Sequence, residues 1–249
     1  LIHVWKKIKN QNNATTRYIK LDKGTFQGVI AENNFIELPY KDVVIDSTIG
    51  FEKRSGNSVN NTTLGSLYDV SQGVVEATDK VSKKSLEKVK ESNFKPNDGV
   101  FVLSKQELNS LNPNQNEKSV IKKYLNNSDV KKYCVDFSNE YLIYSDKETK
   151  EKIAKGIYPN LKTHLDKVRQ FITSSNAPYG LHRPRESRFF EESKLICKGM
   201  FLSPEFCFDD EKYYVGFSFS VIIQKDKNFA LKYLLGLLNS DFAKKWFNS

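Results

Sequence analysis

Strand-like and helix-like patterns follow one another along this chain without strict alternation. Short apolar runs at residues 99–103, 141–144 and 194–201 indicate buried strands. A run at about 158–173 recurs instead at helical spacing, and Pro159 stands where such a helix can begin. These patterns predict an α+β fold, or an irregular α/β fold, with a mixed sheet, flanking helices and a helical C-terminus.

Four local patterns carry sharper expectations. Gly73 interrupts an apolar run, which predicts a bend or a close approach of two backbones. The polar, Asn-rich residues 106–118 favour a loop, and the acidic residues 209–211 favour the turn of a hairpin. A helix from Asn228 onward carries apolar residues mostly at helical spacing, for which we expect core packing: Leu231, Leu234, Leu235, Leu238, Phe242 and Trp246.

A Ser/Asn/Thr-rich stretch at 55–63 predicts an exposed linker and divides the chain into residues 1–60 and 61–249. The chain opens on Leu1, and Met200 is its only methionine. We therefore expect a fragment or a processed piece of a longer protein.

The chain has a formal net charge of +9 and a pI near 9.2, which points to a polyanionic partner. The indication is general, because 30 acidic residues are mixed among 39 basic ones. Cys134, Cys197 and Cys207 are too widely spaced for a zinc site and predict free buried thiols in a reducing cytosol. No run is long and apolar enough for a membrane span, and no signal peptide opens the sequence, so a cytoplasmic protein is expected.

The segment Asn176–Arg188, called here the arginine segment, concentrates residues suited to an anionic partner. Pro178 and Pro184 each disfavour helix in the preceding residue, so the segment should be extended or turned. Arginine offers a planar fork of donors that suits phosphate oxygens and the O6/N7 edge of guanine. The alternative is a solvated basic loop that only closes a connection. The residues concerned are Tyr179, His182, Arg183, Arg185 and Arg188.

Signatures of catalysis are absent from the sequence: it has no glycine-rich phosphate loop, no Gly-x-Ser-x-Gly elbow and no His-Glu-x-x-His. Two Glu-x-Lys triplets, Glu148-Thr-Lys150 and Glu192-Ser-Lys194, resemble part of a metal-nuclease site. Neither follows a Pro-Asp element, and the chain is rich in both residue types. A nuclease fragment is therefore only a third hypothesis, and it predicts metal-dependent cleavage.

Four blocks, taken in order, resemble the TaqI-like C-terminal specificity domain, the target-recognition domain of bacterial adenine-specific DNA methyltransferases and type IIG restriction–modification enzymes. In that family the glycine of the first block opens a Gly-x-x-Thr-Gly run. Here the sequence reads Gly73-Val-Val-Glu-Ala-Thr78, which departs at the second glycine. The resemblance covers about 64–247, and the blocks are 64–80, 120–133 with 141–144, 181–185 with 194–197, and 231–240 with Phe242 and Phe247.

The resemblance implies that the chain binds duplex DNA for a catalytic domain that lies elsewhere. Residues 2–9 resemble the last strand of such a domain, so 1–60 would be its end plus a linker, and 61–249 the recognition domain. The chain alone should need no cofactor and should neither methylate nor cut, while S-adenosylmethionine would serve the methyltransferase domain. The residues expected to read bases or lie close in the groove are Arg183, Arg185, His182, Gln72 and Thr78. The residues expected to contact phosphates are Lys80, Lys131, Lys132 and Arg188.

A second hypothesis comes from a different functional class. The leucine-rich and aromatic C-terminal helix could be a docking surface, and the chain a protein-interaction or assembly module of a restriction or phage-defence complex. Affinity for duplex DNA that falls steeply with salt would favour the first hypothesis. Stable binding to a protein subunit without DNA affinity would favour the second.

Overall fold

The computed structural model divides the chain into two compact units, residues 1–61 and 62–249. The structure describes residues 15–18, 36–39, 44–45, 48–49, 63–89, 93–200 and 203–247. The strand predicted at 2–9 and most of the predicted linker at 55–63 lie outside these residues. The assignment of 1–60 to the end of a methyltransferase domain stays a prediction.

The first unit contains two antiparallel strand pairs among its described residues. Strand β1 pairs with β2, and strand β3 pairs with β4. These strands are β1 Thr15–Tyr18, β2 Ile36–Pro39, β3 Val44–Ile45 and β4 Thr48–Ile49.

The second unit mixes helices and strands along the chain, and the predicted α+β class is confirmed. Its strands are β5 Tyr68–Gln72, β6 Val102–Ser104, β7 Ile121–Leu125, β8 Val130–Lys131, β9 Cys134–Val135, β10 Glu140–Ile143, β11 Lys194–Lys198, β12 Phe206–Asp209, β13 Tyr214–Val215 and β14 Phe219–Gln224. Its helices are α1 Leu64–Leu67, α2 Lys83–Leu86, α3 Lys105–Leu111, α4 Gln115–Lys118, α5 Lys147–Ala154, α6 Pro159–Lys167, a 3-10 turn at Arg169–Phe171, α7 Arg188–Glu191, α8 Leu231–Leu238 and α9 Asp241–Phe247.

Two four-stranded sheets organise the second unit. The first sheet has the order β13-β7-β10-β6, and the second sheet has the order β12-β11-β14-β5. Only the β13–β7 pair is parallel among the named strand pairs of these two sheets. Strand β8 pairs with β9 beside β12, where the amide of Tyr133 donates to the carbonyl of Phe206 at 2.9 Å.

The second sheet is covered on both faces, which explains the unbroken apolar run in β11. Ile196 packs into the main core, whereas Leu195 and Cys197 pack with Leu231 and Leu234 of α8. Alternate residues of a strand point to opposite faces, so burial on both faces accounts for the consecutive apolar residues Leu195, Ile196 and Cys197.

The loop predicted at 106–118 is wrong, because this stretch forms α3 and α4. Each helix opens on a capping box, in which a side chain caps the first turn and a glutamate three residues later caps back. Ser104 pairs in this way with Glu107, and Asn114 with Glu117. Asn114, one of the asparagines that favoured a loop, is therefore the start of a helix.

The hairpin turn predicted at 209–211 is also wrong. Strand β12 lies in the second sheet and β13 in the first, so the chain crosses between sheets here. The carboxylate of Asp209 holds the crossing by accepting hydrogen bonds from the amides of Glu211 at 2.8 Å and Tyr213 at 3.0 Å. The acidic residues thus mark a real turn but not a hairpin.

The C-terminal helix is two helices, α8 and α9, separated at Asn239. The Asn239 amide group is buried and bonds both backbone groups of Phe206, at 3.0 and 2.8 Å. Leu231 and Leu234 are buried as predicted. The core packing predicted for Phe242 and Trp246 is wrong, since these side chains are 73% and 69% exposed.

Candidate nucleic-acid interface

The arginine segment lies directly against residues 73–78, called here the Gly73 loop. The amide of Val75 donates to the carbonyl of Arg183 at 2.9 Å, and the amide of Arg183 donates back to the carbonyl of Val75 at 3.1 Å. Further along, the amide of Thr173 donates to the carbonyl of Ala77 at 2.9 Å. Two segments more than 100 residues apart, each singled out from the sequence, are therefore neighbours.

Gly73 makes the close backbone approach that the sequence predicts. A Cβ atom at this position would lie 2.1 Å from the carbonyl oxygen of Gly216, far inside van der Waals contact. The amide of Gly73 donates to the carbonyl of Phe219 at 3.0 Å, and the amide of Val74 to that of Val215 at 2.9 Å. Only glycine fits here, because the backbone must pass directly over the β13–β14 connection.

Arg185 is held at the C-terminal end of β5. Its Nε donates to the carbonyl of Gly73 at 3.3 Å, and its Nη2 donates to Oε1 of Gln72 at 3.1 Å. The backbone of Arg185 has φ +61°, and its carbonyl accepts from the hydroxyl of Tyr144 at 2.9 Å. A non-glycine residue in this left-handed conformation is uncommon and needs support from its surroundings. The guanidinium has five N–H donors, so it keeps donors beyond the two bonds made here.

Arg183 and His182, which precede Arg185 in the chain, differ in exposure and in their partners. Arg183 is exposed and forms no ion pair within the part of the chain that the structure describes. The imidazole Nδ1 of half-buried His182 lies 3.2 Å from the amide nitrogen and 3.1 Å from the hydroxyl of Ser175. Among the residues that the structure describes, none forms an internal ion pair with Arg183, Arg185 or His182.

Three other predicted residues near the Gly73 loop already have partners. The guanidinium of Arg188 bonds Asp69 at 3.0 Å and Glu186 at 2.8 Å. Lys80 is paired with Glu140, and the hydroxyl of Thr78 donates to the carbonyl of Phe171 at 2.7 Å.

Lys131 and Lys132 lie on β8 and just beyond it, next to β12, whereas Gln72 lies on β5 at the opposite edge of the second sheet. Nζ of Lys131 is 2.9 Å from Asp136, and Nζ of Lys132 is 5.3 Å from the ring centroid of Tyr133. Three strand spacings separate β5 from β12, roughly 14 Å. Lys131 and Lys132 lie one strand beyond β12, so the predicted residues span more than this distance and more than the width of a major groove, about 12 Å.

A buried carboxyl group within the Gly73 loop, that of Glu76, was not predicted from the sequence. Glu76 is 4% exposed, and its Oε1 accepts a hydrogen bond from the hydroxyl of Tyr124 at 2.7 Å. No cation pairs with it among the described residues, and burial raises its pKa to about 7. The Gly-x-x-Thr-Gly run that the resemblance implies has threonine at the position of Glu76, and that departure is the signal in the sequence that could have drawn attention to it.

Replacing Glu76 with glutamine should remove a pH dependence of stability. A carboxyl pKa raised in the folded state means that the native protein holds a proton which the unfolded chain releases near pH 4.5. Stability from this group is therefore present at low pH and lost as pH rises to about 7, on the order of 3 kcal/mol in all. Urea unfolding at pH 5 and pH 8 should show a smaller fall for Glu76→Gln than for the unmodified chain; equal falls would contradict the assignment.

Ala77 stands at the position of the second glycine in the Gly-x-x-Thr-Gly run that the resemblance implies. This residue has φ +43°, in the left-handed region that favours glycine. An L-residue pays about 1–2 kcal/mol there, partly offset by its lower entropy in the unfolded chain. Ala77→Gly should therefore stabilise the chain by about 1 kcal/mol, measured by urea unfolding, with unchanged or lower stability as the contrary result.

The structure places neither Glu-x-Lys triplet in the arrangement of a metal-nuclease site. Glu148 and Lys150 lie on helix α5 rather than on a strand. Lys194 is fully buried and paired with Asp209 at 2.5 Å. Across the described residues there is no group of three or more His, Cys, Asp or Glu that could hold a metal ion.

Two of the three cysteines are buried, as predicted. Cys197 and Cys207 are buried free thiols, and burial raises the pKa of each to about 12; Cys134 is exposed, so burial was wrongly expected for it. None of the helices described combines the length and apolar character that a bilayer crossing requires.

Comparison with known proteins identifies a family for this chain. No curated protein sequence matches the chain. The solved structure of the type IIL restriction-modification enzyme MmeI in complex with DNA is similar to it at 13% identity and a TM-score of 0.48. That similarity covers 96% of this chain and 28% of the MmeI chain. The TaqI-like C-terminal specificity domain family matches residues 122–249, so the first block, 64–80, lies outside the match. This match spans just over half of the sequence, and the chain belongs to the family of TaqI-like C-terminal specificity domains.

Proposed function

We propose that this chain is the DNA target-recognition domain of a restriction–modification adenine DNA methyltransferase. The observation that carries the proposal is the position of Arg183 and Arg185, which lie against the Gly73 loop at one end of the second sheet. Within the described residues, Arg183 is exposed without an ion pair and Arg185 is held by neutral acceptors, so both can bind an anionic or guanine-bearing ligand. The family's description as a specificity domain supports the same role.

The two arginines would divide the work of recognition. Arg185 is fixed by Gln72 and Gly73, and a fixed fork can form the paired bonds to guanine O6 and N7 that distinguish this base. Arg183 has no such support from its side-chain neighbours and would neutralise phosphate, as would Lys132 at the opposite edge of the second sheet. Lys80, Lys131 and Arg188 would contact phosphate only by exchanging or sharing their present acidic partners.

Catalysis would belong to another part of the longer protein. In this proposal residues 1–60 end a methyltransferase domain that binds S-adenosylmethionine and takes the target adenine out of the duplex. The recognition domain would hold the duplex in register for methyl transfer, in the cytoplasm of a bacterium that uses the system for defence. A nuclease in the same longer protein would make it a type II restriction enzyme.

A second candidate function has its own observation. Tyr233 and Phe242, on α8 and α9, are 74% and 73% exposed. Exposed aromatic side chains on adjacent helices are a feature of protein-binding surfaces. This favours the alternative of an assembly module within a restriction or phage-defence complex.

Selection from a pool of randomised duplexes tests the proposal against this alternative. The purified chain is incubated with the pool at rising salt concentrations, and bound duplexes are amplified and sequenced. We expect binding that weakens steeply with salt and enrichment of one short motif. Absence of binding at every salt concentration would overturn the proposal, and stable capture of a protein subunit in its place would support the assembly module.

A further inference from the structure

A large apolar side chain stands in the open at the edge of the proposed interface. Phe217 is 60% exposed at the tip of the connection between β13 and β14, residues 216–218, called here the Phe217 turn. Single exposed apolar residues are common on protein surfaces and need no explanation by themselves. Phe217 differs from them in two respects: hydrogen bonds hold its turn, and the turn lies next to the Gly73 loop.

The Phe217 turn is fixed from within and from its sides. The amide of Phe219 donates to the carbonyl of Gly216 at 3.0 Å and closes the turn. On one side the carbonyl of Ser218 accepts from the amide of Gly199 at 2.6 Å. The hydroxyl of Ser218 donates to Oδ1 of Asn127 at 3.1 Å. Hydrogen bonds of this kind fix the backbone that carries the exposed ring, which lowers the entropy cost of using the turn in binding.

The other side of the Phe217 turn is the Gly73 loop. The carbonyl of Gly216 lies so close to Gly73 that a Cβ atom there could not be accommodated. Gln72 pairs with Ser220 across the β5–β14 ladder, and Arg185 binds both Gln72 and Gly73. The Phe217 turn therefore lies next to Gly73, the residue whose carbonyl binds the guanidinium proposed to read a base.

We propose that Phe217 is a wedge that inserts between two base pairs of the bound duplex. The inference rests on the proposed function and adds a recognition mode to it. Apolar side chains inserted at a base step unstack it and kink the duplex, and steps that unstack easily are selected in this way. The positive neighbour Arg185 makes duplex DNA, rather than an apolar protein surface, the fitting occupant.

The test uses the whole chain and a duplex recovered by the selection, with 2-aminopurine placed in turn at each position. Phe217→Ala should weaken binding by roughly ten-fold, the worth of one stacked base. The unmodified chain should raise 2-aminopurine fluorescence at one step, and Phe217→Ala should abolish that rise. Phe217→Trp should bind nearly as well as the unmodified chain and lose indole fluorescence on binding. Phe217 is exposed, so thermal unfolding should stay close to that of the unmodified chain.

Tyr233→Ala is the matched control. Tyr233 is an exposed aromatic residue on α8, and this helix packs against Tyr68 at the start of β5, whereas Gln72 ends that strand. This variant should bind and unstack the duplex normally. If Phe217→Ala binds within two-fold and 2-aminopurine still responds, the wedge is wrong while the proposed function stands. If the unmodified chain binds no duplex, the proposed function and the wedge fall together.

Discussion

Replacing Asp209 with alanine should lower the free energy of unfolding by about 3–5 kcal/mol. Asp209 and Lys194 form a fully buried ion pair at 2.5 Å, and Nζ of Lys194 also donates to the carbonyl of Phe190 at 2.6 Å. Burial lowers the pKa of Lys194, and Asp209 opposes that shift. Removing the carboxylate leaves an ammonium group in the core without its counter-charge and frees the backbone amides of the sheet crossing.

Urea unfolding at pH 7 measures this effect. Asp210→Ala, next in the chain and exposed, is the matched control and should change stability by less than about 0.5 kcal/mol. The double variant Lys194→Met with Asp209→Asn should recover part of the loss, because the unpaired charge is gone. A cost below about 1 kcal/mol for Asp209→Ala would mean that the pair does not hold the crossing between the sheets.

Loss of both Arg183 and Arg185 should have the largest effect on DNA binding. Arg183→Ala should weaken binding about equally for all sequences and reduce the salt slope by about one. Arg185→Ala should instead cost about 1–3 kcal/mol on the selected duplex and little on a duplex changed at the base pair it reads. The double variant should bind the selected duplex roughly a hundred-fold more weakly.

Fluorescence anisotropy with the selected duplex and its single-base-pair variants separates the two roles. Lys105→Ala, an exposed lysine that opens α3 beside the first sheet, is the control and should leave both affinity and discrimination unchanged. If Arg185→Ala loses affinity equally on every duplex, Arg185 contacts phosphate and does not read a base. If neither variant changes affinity, both arginines are removed from the interface.

Local sequence patterns correctly predicted several elements of the fold. The β11 run is apolar because both faces of the second sheet are covered, and α6 begins at Pro159 because proline suits the first turn of a helix. Gly73 was predicted to mark a close backbone approach, and Gly216 is its partner. In each case a single residue or a single hydrophobic pattern is enough to predict the local structure.

Pairings between distant segments could not be predicted in the same way. Nothing near residue 209 indicates that the chain leaves one sheet for the other, because the fully buried partner of Asp209 lies 15 residues earlier, at Lys194. The same holds for Glu76, which is concealed by its tertiary neighbours Tyr124 and Gly216. The contact of the Gly73 loop with the arginine segment likewise depends on folding over more than 100 residues.

The contact surface itself can be measured by arginine footprinting. The chain is modified with phenylglyoxal, with and without the selected duplex, and each arginine is followed by mass spectrometry. The account predicts that Arg183, exposed and without an ion pair among the described residues, reacts readily alone and is protected by the duplex, with Arg185 protected alongside it. Equal modification of both arginines while the duplex is bound would contradict the placement of DNA at this end of the second sheet.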